Sequence, residues 1–264
     1  SLVGEAARSS ADRVPASFGA ASFPARVVGV TWKCPKMSQN VPPSKKCFLV
    51  LACLFAFASM SSAQELHKNP FSGKSTHFVK GEDNVKADEK AHELSADRSR
   101  SLPTSERIWL SMGAGKNEKN YAYYYYPTPA APLTEDVAAE LWVHSNRAGV
   151  KLLARIVYPK IRNPKQLDEP ITRLVELDTY KAPAGGWQKL ILKRAEDIIK
   201  EQKQALRLEM KGDPDISGAY IDRLVVDLYT GPGEIEVFLD NLEIGPVKAG
   251  SAPPSGVEPK KTDI

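Results

Sequence analysis

The richest source of binding chemistry in this sequence is a run of tyrosines at residues 121–126. Aromatic residues favour β-strands, in which successive side chains point to opposite faces. Tyr121, Tyr123 and Tyr125 should therefore share one face, and Tyr124 and Tyr126 the other. Since both faces cannot belong to one core, we expect one set to be exposed or to line a groove. Aromatic rings stack on the C–H faces of sugars, which makes this set a candidate binding surface, although simple packing of a half-buried strand explains the pattern better.

Three further side chains are candidates for contact with a ligand. Trp109 lies on the opposite face of its strand from the apolar residues, which makes exposure and edge packing equally good explanations. Asn146 and Arg147 fall in a short loop between two strands, where a ligand has access, although a plain turn explains them better. By contrast, Trp142 and Trp187 lie amid apolar strand residues and are predicted to be in the core.

Acidic residues near the end of the chain raise the question of catalysis. They are Asp222, Asp227, Glu234, Glu236 and Asp240. A glycosidase needs two carboxyl groups about 5–10 Å apart across a cleft, whereas acids on the outer face of a strand are usually solvated. The four histidines lack metal-ligand spacing, and the sequence has neither a nucleophile motif nor a Gly-rich phosphate loop. The sequence leaves catalytic activity undecided and favours a chain without it.

The first 63 residues have the pattern of a leader. Residues 37–63 combine two lysines, an apolar run and a small-residue cleavage site, which predicts a secretory signal peptide. The apolar run is shorter than the roughly 20 residues of a membrane span, so an uncleaved anchor is the weaker alternative. Residues 1–36 are interpreted as a non-native upstream extension without order. We therefore expect a secreted, periplasmic or cell-envelope protein with no stable membrane span after cleavage.

Removing this leader changes the charge and the cysteine count. Cys34, Cys47 and Cys53 all lie within it, so the remaining chain has no disulfide and no cysteine-ligated metal. From residue 64 onwards, 29 Lys+Arg face 30 Asp+Glu. The basic balance of the full sequence therefore disappears, and we expect no nucleic-acid partner.

Short strands separated by turn signals must position the candidate residues. Residues 64–100 form a polar segment with a first short strand at 76–79 and a solvated loop at 80–93. The main part of the domain, 101–247, contains strands predicted at 106–112, 120–126, 137–146, 150–158, 171–177 and 187–192. Prolines end the tyrosine strand, and a proline-bounded loop covers 159–170. An amphipathic helix is predicted at 196–211, and residues 248–264 are interpreted as a disordered linker or tail.

The last part of the domain, residues 219–247, contains two apolar runs around Thr230-Gly231-Pro232-Gly233, which predicts a β-hairpin. In the second run the apolar positions change phase near residues 239–241. Because side chains alternate with period 2, this change indicates a bulge or bend. Together these elements predict a mainly β fold, an antiparallel β-sandwich of jelly-roll type from about residue 70 to 247, with one helix before the final hairpin.

Three stretches carry a resemblance to a known family: residues 140–149 (ELWVHSNRAG), 186–190 (GWQKL) and 238–244 (FLDNLEI). They resemble galactose-binding-like jelly rolls, the carbohydrate-binding-module-like domains that precede catalytic domains in secreted bacterial glycoside hydrolases. The resemblance implies a carbohydrate or polysaccharide partner. Some members carry a structural calcium ion near the last strand, and Asp240 is the matching position here.

Three hypotheses for the function follow. The leading one is a secreted, non-catalytic carbohydrate-binding module that forms the N-terminal part of a larger glycoside hydrolase. The first alternative is a structural or protein-interaction module of the cell envelope, and the second is a sandwich-fold polysaccharide hydrolase. The sequence does not identify the glycan.

Overall fold

The computed structural model describes residues 65–101, 103–116, 119–183 and 185–247, and the following elements lie in these ranges. The strands are β1 (Glu65–Asn69), β2 (Val79–Asp83), β3 (Ala87–Ser95), β4 (Ser105–Met112), β5 (Ala122–Pro132), β6 (Ala138–Ser145), β7 (Lys151–Asn163), β8 (Gln166–Thr179), β9 (Trp187–Ile191), β10 (Tyr220–Asp227) and β11 (Gly233–Val247), and the helix is α1 (Ala195–Met210). The predicted signal peptide, upstream extension and C-terminal tail lie outside the described residues.

Two antiparallel sheets form the molecule. Sheet A has the strand order β3-β4-β11-β6-β9, with β1 also paired to β11, and sheet B has the order β2-β5-β10-β7-β8. Alternate side chains of both sheets, such as Ile108, Tyr124, Leu224 and Val237, meet in one hydrophobic core. The predicted fold class, a mainly β antiparallel sandwich, is therefore confirmed, with one helix among the described residues.

The predicted hairpin at residues 219–247 is wrong, because β10 and β11 belong to different sheets. β10 pairs with β5 and β7, β11 pairs with β4, β6 and β1, and the chain between β10 and β11 crosses from sheet B to sheet A. Leu224 and Val226 on β10 face the core from one side, and Ile235 and Val237 on β11 face it from the other. The same holds for the loop at residues 146–149, which connects β6 in sheet A to β7 in sheet B. The sequence pattern therefore predicted these four segments as strands, but it did not predict which strands pair with each other.

Several polar segments predicted as loops are strands. β2 and most of β3 fall within the predicted loop at 80–93, and β7 and β8 extend through 159–170 to a turn at Pro164-Lys165. β2, β3 and β8 are edge strands, where charged residues are common because they discourage pairing with other chains. β5 likewise continues to Pro132. β2 pairs only with residues 122–125 of β5, so no strand on that side requires a backbone N–H from the prolines, which have none.

The predicted phase change in the last strand corresponds to a bulge. The pairing of β11 with β6 shifts between Asp240 and Glu243, and Asn241 has a positive φ of 47°. Asparagine tolerates this left-handed conformation better than most residues. The bulge brings Leu242 and Ile244 back to the core face, where both are fully buried.

Helix α1 agrees with the predicted helix to within one residue at each end. Ala195, Ile198 and Leu206 are buried in the core of the sandwich. Met210, which the helical pattern also assigned to the apolar stripe, is 48% exposed. Over the part of the chain that the structure describes, no helix has the length and apolar character to cross a membrane.

Candidate functional site

The tyrosines of β5 divide between the two faces of sheet B. Tyr124 and Tyr126 are buried in the core, whereas Tyr121, Tyr123 and Tyr125 lie half-buried on the outer face. We call this outer face the tyrosine face and define it by a set of residues from three neighbouring strands. They are Tyr121, Tyr123 and Tyr125 with β10 residues Asp222, Arg223 and Val225 and β7 residues Leu153 and Arg155. Strand alternation alone produces the division, as the sequence predicted.

The aromatic rings of this face are held by specific neighbours. The rings of Tyr121 and Tyr123 stack, with centroids 4.5 Å apart and planes inclined by 16°. The guanidinium of Arg223 lies 4.9 Å from the ring centroid of Tyr125. On the adjacent strand β2, a Cβ atom added at Gly81 would lie 3.2 Å from Cδ1 of Tyr125. Because Gly81 has no side chain, the Tyr125 ring has room to occupy its observed position.

An apolar floor crosses the strands beside Tyr125. Strand register aligns Tyr125 with Val225 on β10 and Val225 with Leu153 on β7. The next outward-facing row aligns Arg223 with Arg155. Val225 and Leu153 are buried and Tyr125 is half-buried, so the ring of Tyr125 is the accessible part of an apolar row bordered by two guanidinium groups.

A bulge in β10 supplies the carboxylate of this face. The register of β10 against β7 shifts between Ile221 and Arg223, which makes Asp222 the extra residue in that pair. Against β5 the register shifts at the same point, but there the extra residues lie on β5, between Pro127 and Ala131. Arg155 donates from Nε to Oδ1 of Asp222 at 2.8 Å and from Nη2 to Oδ2. Such a paired, forked geometry holds both side chains in fixed positions.

Arg223 has no comparable partner. Its Nε lies 3.9 Å from Oδ1 of Asp222 and has no hydrogen-bond acceptor within the described residues. Burial lowers the pKa of Arg223, and the nearby positive charge of Arg155 lowers it further. The Asp222 charge, already engaged by Arg155, compensates only part of this.

The hydroxyls of Tyr121 and Tyr123 remain neutral at physiological pH, because their pKa values are raised. Burial, followed by the negative charge of Asp227, raises the pKa of Tyr123 to about 12. Burial also raises the pKa of Tyr121, with smaller contributions from Glu82 and Asp83. Each of these hydroxyls therefore keeps its proton.

The other candidates from the sequence lie elsewhere. Trp109 is on the outer face of sheet A, with the Arg107 guanidinium 5.2 Å from its ring centroid. Arg147 donates hydrogen bonds to the carbonyl oxygens of residues 230–232, at 3.0–3.2 Å. Asn146 bonds the backbone of Glu236 through both its side chain and its own N–H. The structure does not bring these residues together with the tyrosines, and it uses Asn146 and Arg147 to hold the connection between the sheets.

The predicted core position of Trp142 and Trp187 is wrong. Both lie half-buried on the outer face of sheet A, because they alternate with Leu141, Val143 and Leu190, which fill the core. Here the strands β6 and β9 carry apolar residues on both faces, so alternation did not reveal which face is inside.

A neighbouring segment of the chain covers these sheet A aromatics. The guanidinium of Arg100 lies 3.5 Å from the ring centroid of Trp142. Arg98 lies 5.8 Å from the ring of Phe238 and donates a hydrogen bond of 3.0 Å to Nε2 of His144. Burial lowers the pKa of His144, and so does the charge of Arg98, which keeps that imidazole neutral. This face therefore has its aromatic partners within the chain.

Asp240 anchors the same segment. Its Oδ2 accepts hydrogen bonds from the backbone N–H groups of Arg100 and Ser101 at 2.7 and 2.9 Å, and its Oδ1 accepts from the Ser101 hydroxyl at 2.8 Å. Calcium needs six or more oxygen ligands, whereas N–H and O–H donors surround this buried carboxylate. Nor does any group of three or more His, Cys, Asp or Glu side chains in the described ranges fit a metal ion. The residues around Asp240 do not fit the calcium that the resemblance implied, and that calcium stays a prediction.

The acids that raised the question of hydrolysis are distributed over both sheets. Asp222 and Asp227 are on β10 in sheet B, whereas Glu234, Glu236 and Asp240 are on β11 in sheet A. Four of them are engaged in the fold: Asp222 by Arg155, Asp227 by backbone N–H groups, Glu236 by Arg107 and Asp240 by residues 100 and 101. Their arrangement gives no support to the hydrolase hypothesis.

Sequence reasoning did not include Arg155, Asp222 or Arg223 among the binding candidates. A signal was present, because Ile221 is apolar at an odd position and Leu224, Val226 and Leu228 are apolar at even positions. That phase change indicates the bulge at Asp222 in the same way as the one detected in β11.

No protein-family model matches the chain, and no curated protein matches it in sequence. Solved structures similar to it include several carbohydrate-binding modules. One belongs to a study of promiscuous specificity in modules of the β-sandwich superfamily, with 9% identity and a TM-score of 0.40 over 70% of this chain and 63% of that structure.

Two others are a family 30 module and a family 11 module. The family 30 module has 9% identity and a TM-score of 0.40 over 73% of this chain and 94% of its own. The family 11 module, from a cellulosomal cellulase of Clostridium thermocellum, has 13% identity and a TM-score of 0.38 over 71% and 97%. At such identities and TM-scores the likeness carries no information about the ligand of this chain.

Proposed function

We propose that the chain is a non-catalytic carbohydrate-binding module and that its tyrosine face binds a polysaccharide. One observation carries this proposal: half-buried tyrosines and an apolar floor lie beside fixed guanidinium and carboxylate groups on one open sheet face. Sugars combine C–H faces, which stack on aromatic rings, with hydroxyl groups, which bond to charged and polar side chains.

The contrast between the two sheets supports the choice of face. On sheet A, Arg100 already lies over Trp142, and Arg98 lies near Phe238. On sheet B the tyrosines contact each other and Arg223, all of which belong to the face itself. The aromatic contacts described on sheet B therefore come from strands of the face itself, and a ligand that stacks on Tyr125 would lie beside Arg223 or replace it there.

Further parts of the proposal rest on the sequence alone. They are secretion through the leader at 37–63 and a position at the front of a larger glycoside hydrolase. Detection of the chain in the culture medium or cell envelope of its host, with residues 1–63 removed, supports secretion. Retention in the cytoplasm with the leader intact contradicts it.

The binding proposal is tested by affinity electrophoresis of the full chain in gels that contain β-glucan, xylan, mannan, polygalacturonate or alginate. We expect retardation by at least one polymer, and a loss of about tenfold in affinity for Tyr125→Ala, because a lost aromatic contact is worth about 1 kcal/mol or more. Trp109→Ala is the matched control, since it removes a half-buried aromatic ring from the opposite sheet. The proposal fails if no polymer retards the chain, or if Trp109→Ala alone abolishes binding.

A further inference from the structure

The charges of the tyrosine face identify the class of polysaccharide, an inference that rests on the proposed function. We propose that the face binds an acidic polysaccharide and that Arg223 receives its anionic group, a carboxylate of a uronic acid or a sulfate ester. The argument depends on the balance of charges around Arg223, on how Arg223 is held, and on where the other charges of the face are used.

Arg223 is the one cation of this cluster without an anion of its own. Asp222 is the carboxylate shared between Arg155 and Arg223, and Arg155 takes both of its oxygens. Arg223 is left at 3.9 Å from Oδ1, with its side chain 12% exposed and its Nε unbonded within the described residues. Two guanidinium groups therefore share a single carboxylate, and an added anion would neutralise the remaining positive charge.

The guanidinium of Arg223 is also held in place before any ligand arrives. It lies 4.9 Å from the Tyr125 ring centroid, and Arg223 is aligned across the strands with Pro127 and Arg155. An arginine positioned by stacking loses little conformational freedom when it binds an anion, and its planar fork matches carboxylate and sulfate oxygens. A sugar ring stacked on the tyrosine face would bring an acidic substituent within reach of this group.

Other charges near the face are paired or lie at its opposite end, where Glu82 and Asp227 act on Tyr121 and Tyr123. Lys151 pairs with Glu176 at 3.0 Å, and Lys80 pairs with Asp83 at 3.6 Å. Asp227 accepts hydrogen bonds from the backbone N–H groups of Ala122 and Tyr229. The uncompensated positive charge is therefore local to the Arg155 and Arg223 end of the face, which would place the anionic group there.

The test compares acidic polymers with their neutral counterparts. Binding of the full chain to polygalacturonate, alginate and hyaluronan is measured by isothermal titration calorimetry, each beside the same polymer with its carboxyl groups reduced to alcohols. We expect at least one acidic polymer to bind about tenfold more tightly than its reduced form, as a charge-assisted hydrogen bond implies. Dextran sulfate beside unmodified dextran distinguishes a sulfate from a uronate as the source of the anion.

Variants then assign this preference to a residue. Arg223→Gln should remove the preference for the acidic form while the reduced polymer still binds. Arg207→Gln, which removes the same charge from an exposed position on α1, should keep the preference. If Arg223→Gln does not fold, Arg223→Lys keeps the charge without the planar fork and should show a reduced preference.

The outcomes separate this inference from the proposed function. Equal binding of acidic and reduced polymers, with loss of both in Tyr125→Ala, overturns the acidic preference and leaves carbohydrate binding intact. A preference that survives in Arg223→Gln assigns the anion to another residue and overturns the role of Arg223. Absence of binding to any polymer, acidic or neutral, removes both proposals together.

Discussion

Arg147 directs its guanidinium at the backbone of the connection between β10 and β11. Its three hydrogen bonds reach the carbonyl oxygens of Thr230, Gly231 and Pro232. Accessible arginines in loops are good candidates for ligand contact, but these donors are already used. At the scale of single residues, therefore, the partners of a side chain decide between binding and structural roles, and residue type alone does not.

Removal of the Arg147 side chain should destabilise the protein without changing its ligand binding. We expect Arg147→Ala to lower the free energy of unfolding by about 1.5–3 kcal/mol, because hydrogen bonds from a charged donor are lost. Urea denaturation followed by circular dichroism measures this change. Arg207→Ala on the exposed face of α1 is the control and should change stability by about 0.5 kcal/mol or less. Unchanged stability with lost polysaccharide binding would instead assign Arg147 to the ligand.

Asp227 should make stability depend on pH in the direction opposite to most carboxylates. Burial raises the pKa of Asp227, although hydrogen bonds from the N–H groups of Ala122 and Tyr229 act against this rise. The folded state then binds the Asp227 proton more tightly than the unfolded state. The contribution of Asp227 to stability therefore falls as pH rises from the ordinary aspartate range to the raised value, and it stays lower above that value.

The substitution Asp227→Asn isolates this effect, because the amide oxygen still accepts both hydrogen bonds and no charge is buried. We expect the variant to be more stable than the wild type at neutral pH and to lose this advantage in acid. Urea denaturation between about pH 3 and pH 7 gives the difference, in which the other titrating groups cancel. Asp88→Asn, on the exposed edge strand β3, should show no such trend. A variant less stable than the wild type at neutral pH would contradict the prediction.

At the scale of elements, the position of the tyrosine rings depends on the strand beside them. β2 approaches β5 closely at Gly81, where an added Cβ atom would lie 3.2 Å from both Cδ1 of Tyr125 and the carbonyl oxygen of Tyr123. The backbone oxygen cannot move easily, so the substituted strand would shift or the Tyr125 ring would turn away. Gly81 therefore links the edge of sheet B to the geometry of the binding surface.

Gly81→Ala should weaken polysaccharide binding more than its small size suggests. We expect an affinity loss of about threefold to tenfold and a stability loss of about 1 kcal/mol, typical of overpacking. Calorimetric titration and thermal denaturation measure the two effects. Gly212→Ala is the matched control, because its nearest neighbour would be 3.9 Å away. Binding equal to that of the wild type would show that the ring position of Tyr125 is not critical.

Strands and their inner faces were predictable where only one face is apolar. β4 and β5 alternate clearly, so the outer-face position of Trp109 and the division of the tyrosines between the two faces followed from period 2 alone. Trp142 and Trp187 were misplaced because their strands carry large apolar residues on both faces. The hairpin at 219–247 was wrong because two adjacent strands can pair with each other or face each other across a core, and local sequence does not distinguish these arrangements.

The candidate site was predictable only in part for the same reason. Tyr121, Tyr123 and Tyr125 lie on one strand, so their common face could be derived from spacing. The neighbourhood of Arg155, Asp222 and Arg223 depends on the pairing of β7 with β10 and on a bulge between them. Strand pairing over more than 60 residues of sequence is a property of the whole fold, and a single sequence does not show it.

At the scale of the whole molecule, the two outer faces of the sandwich have different roles. Residues 98–101 cross sheet A and are held there by Asp240, His144 and Trp142. The anchor at Asp240 is a buried, fully bonded carboxylate, so the crossing segment is part of the fold. The aromatic contacts of the sheet B tyrosines come from that sheet itself, which is why we propose sheet B as the face for a ligand.

Substitution at Arg100 tests this division of roles. Arg100→Gln removes the guanidinium from the Trp142 ring but keeps the backbone N–H that bonds Asp240. Because Arg100 is exposed, we expect a stability loss of about 0.5–1 kcal/mol, typical of a cation–π contact at an exposed site, and an increase in the exposure of Trp142 to a fluorescence quencher. Polysaccharide affinity should stay unchanged, because no sheet A aromatic contacts the ligand. If sheet A were instead the ligand face, Arg100→Gln would alter the dissociation constant and Tyr125→Ala would not, and the assignment of faces would have to be reversed.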